Sequence, residues 1–150
     1  MTSMTSFRKH LSAPGLLSII YQQFLKIPDP RKFSKDVSIS IKDHLMSGLA
    51  VFGLKCPSLL DYDRKRSDNI IAQNLRDLYF VNNPPSDTYL RERLDDVDSE
   101  YIRPAFKRVF AAFQRGKGLE DFEYLDRHML ISGDGTGHFS SATFVALSAA

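Results

Sequence analysis

The residues best suited to chemistry lie near the end of the 150-residue chain, where Gly133, Asp134, Gly135, Thr136 and Gly137 make a glycine-rich turn. The apolar run Met129-Leu130-Ile131 delivers one carboxylate to that turn, and the glycines let a ligand approach the main chain closely. Three chemistries suit Asp134. It can cap a β-turn, because Asp-Gly pairs favour hairpins. It can lie beside a nucleotide phosphate cradled by the Gly135-Thr136-Gly137 turn, as in a phosphate-binding enzyme. It can also be the first ligand of a magnesium pair that activates water or a hydroxyl for attack on a phosphodiester. The last needs further carboxylates, since one aspartate does not fix two cations about 4 Å apart, and no Asp or Glu follows Asp134.

A second set of residues is basic. Arg103, Lys107, Arg108 and Arg115 fall on one Phe-rich helical segment, and Arg91 and Arg93 on the segment before it. They read either as solvated helix faces or as phosphate contacts to DNA. The remaining reactive types offer less. Cys56 stands alone, so it forms no internal disulfide, fits a reducing compartment, and reads as a structural residue at a helix end. His44 has no partner at metal-ligand spacing and reads as a helix-surface or boundary histidine.

The elements that position these groups follow from periodicity. Residues 1–14 are Ser/Thr-rich, carry Arg8, Lys9 and His10, and end at Pro14-Gly15, which predicts a mobile arm. Apolar residues at helical spacing predict an amphipathic helix over 16–27, stopped by Pro28-Asp29-Pro30. A core-facing helix is expected over 37–55, with Val37, Ile41, Leu45, Leu49 and Phe52 on one stripe. Pro57 to Leu60 reads as a short helical turn and Asp61 to Arg66 as a charged connector.

Ser67 or Asp68 caps a helix with Ile70, Ile71, Leu75, Leu78 and Tyr79 inward, and Ser86-Asp87-Thr88 caps another over 89–97. This pair is compatible with a DNA-reading helix-turn-helix and equally with a plain αα-hairpin. The helix beginning at Asp98 carries Tyr101, Ile102, Ala105, Phe106, Val109, Phe110 and Phe113 on its apolar face and ends at Gly116. Leu119 to Asp126 reads as a further helical or irregular turn. The period then changes: Met129 to Ile131 and alternating residues from Phe139 to Leu147 predict a β-hairpin.

Composition is ordinary for a globular chain, with 43% hydrophobic and 25% charged residues and a net charge of +2. No apolar run reaches the roughly 18 residues of a membrane span, and the N-terminal segment does not read as a signal peptide, so the expectation is cytoplasmic.

The order of Pro84-Pro85-Ser86-Asp87-Thr88-Tyr89-Leu90-Arg91-Glu92-Arg93-Leu94-Asp95, the Phe-rich helix, Phe122-Glu123-Tyr124-Leu125 and Ile131-Ser132-Gly133-Asp134-Gly135-Thr136-Gly137-His138-Phe139-Ser140-Ser141 resembles the N-terminal part of bacterial insertion-sequence transposases of the DDE type. The resemblance spans roughly residues 15 to 141. It implies a mostly α fold: a helical N-terminal domain over 15–126, then, over 127–150, a β-hairpin that begins an incomplete ribonuclease H-like α/β domain. It implies that Asp134 is the first catalytic aspartate and a magnesium ligand, that the full-length protein cleaves and transfers DNA strands, and that the partners are transposon-end DNA, another copy or an intact transposase at the bacterial nucleoid. The family's second aspartate and its glutamate have no counterparts after Asp134, and the tail from Ala142 to Ala150 departs from the polar, basic continuation expected there. A frameshift or premature stop after Ser141 accounts for both, so this chain is expected to be catalytically inactive, leaving DNA binding or an inert remnant.

Overall fold

Each described helix opens on a short polar residue in extended conformation, the geometry that lets a side-chain oxygen satisfy the free N–H groups of a first turn. Ser12 begins α1 (Ala13–Phe24), Ser40 α2 (Ile41–Gly53), Ser58 α3 (Leu59–Lys65), Asp68 α4 (Asn69–Asp77), Ser86 α5 (Asp87–Asp95) and Asp98 α6 (Ser99–Arg115). Five of the six accept a backbone N–H directly, for example Asp68 from Ile70 at 2.9 Å and Ile71 at 3.1 Å. At Ser86 the hydroxyl makes no such bond, and the neighbouring Asp87 takes the N–H of Thr88 at 2.6 Å. The computed structural model describes residues 11–31, 39–124 and 128–129. The chain divides into two units, Met1–Leu119 and Glu120–Ala150.

Three helix ends are closed without glycine. Lys55, Phe80 and Lys117 take φ of 53°, 57° and 61°. The following N–H then reaches back over the last turn: Cys56 to Val51 at 2.9 Å, Val81 to Leu75 at 2.9 Å and Gly118 to Phe113 at 2.9 Å. At Lys55 and Lys117 this is the Schellman closure, and at Phe80 the bond spans one residue more; the left-handed position is normally given to glycine because other residues are strained there.

In the first unit α1 packs on α6 and on α2, while α5 packs on α2 and α3. Helix α2 is the centre. Ile41, Leu45, Met46, Ala50 and Val51 are buried on it, together with the polar Asp43, His44 and Ser47. Tyr62 of α3, Leu75 of α4, Leu90 of α5 and Ala105 of α6 close around it with no exposed surface, and Ile20 and Phe24 of α1 join them. A helix buried on nearly all sides cannot be read from a single apolar stripe, because its polar positions are interior as well.

The structure amends several expectations. The predicted arm loses its last residues to α1, which starts at Ala13; Pro14 falls in the first turn, where its missing N–H costs nothing. The charged connector Asp61 to Arg66 is mostly helix: Ser58 caps α3 and Lys65 pairs with Asp61 at 2.8 Å one turn away. Phe52, placed on the core stripe from spacing, is 81% exposed, in the last turn of α2. His44, read as a helix-surface or boundary histidine, is fully buried. The two helices of the expected helix-turn-helix or αα-hairpin do not pair closely: α5 packs on α2 and α3 rather than on α4.

In the second unit Glu120–Phe122 form a single 3-10 turn, followed by β1 (Glu123–Tyr124) and β2 (His128–Met129). They are antiparallel, with Glu123 opposite Met129 and Tyr124 opposite His128. The described partner of β2 thus precedes it in sequence, where a further helical turn is expected from composition. The hairpin partner expected over Phe139 to Leu147, and residues 130–138 with Asp134, lie outside the described residues, as do residues 1–10 and Val37. The chain is mostly helical, and no described helix is long and apolar enough to cross a membrane.

Candidate nucleic-acid interface

Helix α6 owes its orientation to small residues. Ala105 is fully buried and Ala112 half-buried against α1, so the two helices come close, and Ile102 and Val109 flank that seam. Along one edge of the seam a groove of about 670 Å³ opens, with Ser18, Gln22 and Gln23 of α1 facing Pro104, Lys107, Arg108, Ala111 and Arg115 of α6. Pro104 and the alanines give a floor of little bulk, and the long basic side chains stand at its rim. Lys107 and Arg115 are two helical turns apart, about 12 Å along the axis. Among the described residues none of Lys107, Arg108 and Arg115 has a carboxylate within ion-pair distance.

Three of the six cations singled out from sequence are therefore brought together, beside two glutamines that sequence reasoning did not select. No sequence signal marks them, because their place beside the cations depends on α1 lying against α6. The other three are placed elsewhere. Arg103 is exposed and pairs with Glu100 of its own helix at 2.7 Å. Arg91 is exposed on α5, outside the groove. Arg93 is held by its own helix, its guanidinium 5.1 Å from the Tyr89 ring centroid and 3.3 Å from the Asp96 carboxylate.

Arg93 belongs to a partly buried polar cluster that the sequence did not announce. Asp29 and Arg31 form a two-pronged ion pair, one prong at 2.7 Å. Arg31 also donates to the Tyr89 hydroxyl at 3.1 Å and to the Ile39 carbonyl at 3.0 Å. Its hydrogen bonds hold the Asp29 carboxyl below the usual range. His44 lies edge-on to Tyr89, with ring centroids 4.8 Å apart and planes at 77°. Its Nδ1 is 2.8 Å from the Ser40 carbonyl, which can only accept, so Nδ1 carries the proton and Nε2 is left as a buried lone pair without a partner among the described residues. Burial pushes the His44 pKa down, and the charges of Arg31 and Arg93 push the same way against the opposing Ser40 carbonyl and Asp43. Asp43 accepts the N–H of Asn82 at 3.2 Å, and Arg66 donates to the Pro84 carbonyl at 3.0 Å. Together these contacts fasten the Asn82-to-Tyr89 segment to the central helix. Asp43 and His44 are its buried end, while Asp29 is exposed and Arg31, Tyr89 and Arg93 are half-buried, so the cluster runs from the core to the surface and serves to position the segment.

The thiol and the carboxylates give no reactive centre in the described part of the chain. Burial pushes the Cys56 thiol up, which keeps it protonated and poorly nucleophilic. No group of three or more His, Cys, Asp or Glu residues among the described residues is placed to hold a metal ion, so these residues do not by themselves make a magnesium site. Asp134 is outside them. No protein-family model, curated protein or solved structure matches the chain.

Proposed function

We propose that the helical unit is a DNA-binding module, and that the whole chain corresponds to the N-terminal region of a DDE-type insertion-sequence transposase. The observation that carries the first statement is the groove beside the α1–α6 seam, where Lys107, Arg108 and Arg115 stand without carboxylate partners among the described residues and face Ser18, Gln22 and Gln23. Unpaired cations spaced over about two helical turns suit the evenly spaced charges of a nucleic-acid backbone. Guanidinium forks suit phosphate oxygens, and serine and glutamine add neutral donors.

The second statement rests on the resemblance described above. On that reading the second unit begins a ribonuclease H-like domain, Asp134 is the first member of a carboxylate set completed in the full-length family, and magnesium would serve those carboxylates in strand cleavage and transfer. Transposon-end DNA is the partner, with a further copy or an intact transposase as a protein partner at the nucleoid.

The test is a mobility-shift titration of duplex DNA with the full chain and with Lys107→Ala/Arg108→Ala/Arg115→Ala. The wild-type chain retards duplex at low salt and the triple variant loses at least about tenfold in affinity, as expected when phosphate contacts are removed. No retardation by the wild-type chain at low salt rejects DNA binding.

A further inference from the structure

The apolar side of α6 is only partly used. Of the seven residues that spacing places on it, Ala105 alone is fully buried, and Ile102, Val109 and Phe113 are half-buried. Phe106 and Phe110 remain 51% and 57% exposed. They stand one turn apart on the same face, about 6 Å along the axis. Neither has a ring partner among the described residues, and neither belongs to the core cluster. Arg103 and Lys107 alternate with them along the helix, each one turn from a cationic neighbour and adjacent to the rings.

We propose that this outward face is a stacking surface for the unpaired bases of single-stranded DNA, with Phe106 and Phe110 as platforms and Arg103 and Lys107 as the phosphate contacts beside them. The proposal rests on the reading of the helical unit as a DNA-binding module and names a form of DNA for a second surface of it. Two adjacent exposed phenylalanines call for an apolar or π-faced partner. The charge around them decides which. Helix α6 carries Arg103, Lys107, Arg108 and Arg115 against the single carboxylate Glu100. A second copy docked on this face would set like charges against each other, whereas a strand of nucleic acid brings negative charge and flat rings together. Only an unpaired strand offers those ring faces, because in a duplex they are already stacked. The one ion pair on this face, Arg103 with Glu100, is exposed at both ends, so it has little worth in water and yields readily to a phosphate.

The experiment measures fluorescence anisotropy of a labelled oligothymidine of about 15 nucleotides and of a blunt duplex, with the wild-type chain and with Phe106→Leu/Phe110→Leu. Leucine keeps the apolar bulk and helix propensity and removes the π face. A second variant, Phe106→Tyr/Phe110→Tyr, keeps the ring. The proposal expects the leucine variant to lose about tenfold or more in affinity for oligothymidine, duplex affinity to hold, and the tyrosine variant to bind oligothymidine like wild type. Unchanged oligothymidine binding by the leucine variant overturns the stacking surface. Duplex binding by wild type without oligothymidine binding also overturns it and leaves the groove reading intact. Absence of binding to either nucleic acid removes both. Equal loss with leucine and tyrosine overturns stacking in favour of side-chain-specific packing.

Discussion

His44 shows how a residue's neighbours set its chemistry. In water its ring takes a proton near pH 6.5, but here it is fully buried, committed to the Ser40 carbonyl through Nδ1 and flanked by the guanidinium groups of Arg31 and Arg93. The folded chain therefore binds fewer protons than the unfolded chain between the lowered folded value and 6.5. Stability is whole above that pH and falls as the pH drops through the window, by at most about 1.4 kcal/mol per unit for one proton. Urea unfolding at neutral pH and at about pH 5.5 will show this loss, and His44→Gln will flatten the dependence. A wild-type profile that is flat across this range contradicts the placement of His44. From sequence the residue reads as a boundary histidine, because its partners Arg31, Tyr89 and Arg93 come from distant stretches that only the folded chain brings together. Lys107 and Arg108 were legible as a pair because they share one helix; their partnership with Gln22 and Gln23 was not, since it depends on α1 lying against α6.

At the scale of elements, local chemistry was the legible part. Of the caps named from sequence, Asp68 and Asp98 accept the first-turn N–H and Ser86 does not, while the capping bonds of Ser12, Ser40 and Ser58 were found only in the structure. Helix ends were less legible, because Lys55, Phe80 and Lys117 close them in a conformation for which glycine is the usual signal. Replacing Lys55 by glycine removes left-handed strain from an exposed position and is expected to raise stability by about 1 kcal/mol, measurable as a shift of the urea midpoint. Helix α6 contains Pro104 beyond its first turn, where the ring removes a hydrogen bond to the Glu100 carbonyl. Pro104→Ala is expected to stabilise the chain by about 1–3 kcal/mol, and a loss of stability would mean that the proline is needed to shape the groove floor. Helix α5 is held by Leu90, which is fully buried, so Leu90→Ala should cost about 2–5 kcal/mol. A cost below about 1 kcal/mol would argue that α5 does not dock on α2 and α3 as described. The change of period placed strands at Met129 to Ile131 and Phe139 to Leu147, of which only Met129, in β2, is described, and β1 falls on Glu123 and Tyr124, which are too few to show a period of their own.

At the scale of the molecule, a net charge of +2 predicts little about partners, and the distribution of charge is what matters. The first unit gathers Lys107, Arg108 and Arg115 at one groove, while Arg93 and Arg103 are held by carboxylates one turn away. The central claim is that these three groove cations contact DNA phosphates. The most direct test is the salt dependence of duplex binding for the wild-type chain and the Lys107→Ala/Arg108→Ala/Arg115→Ala variant between about 50 and 200 mM salt. Each phosphate contact contributes about 0.9 to the slope of log affinity against log salt, so the variant's slope should be shallower by about 2.7. Equal slopes for the two proteins would contradict the claim, whatever their absolute affinities.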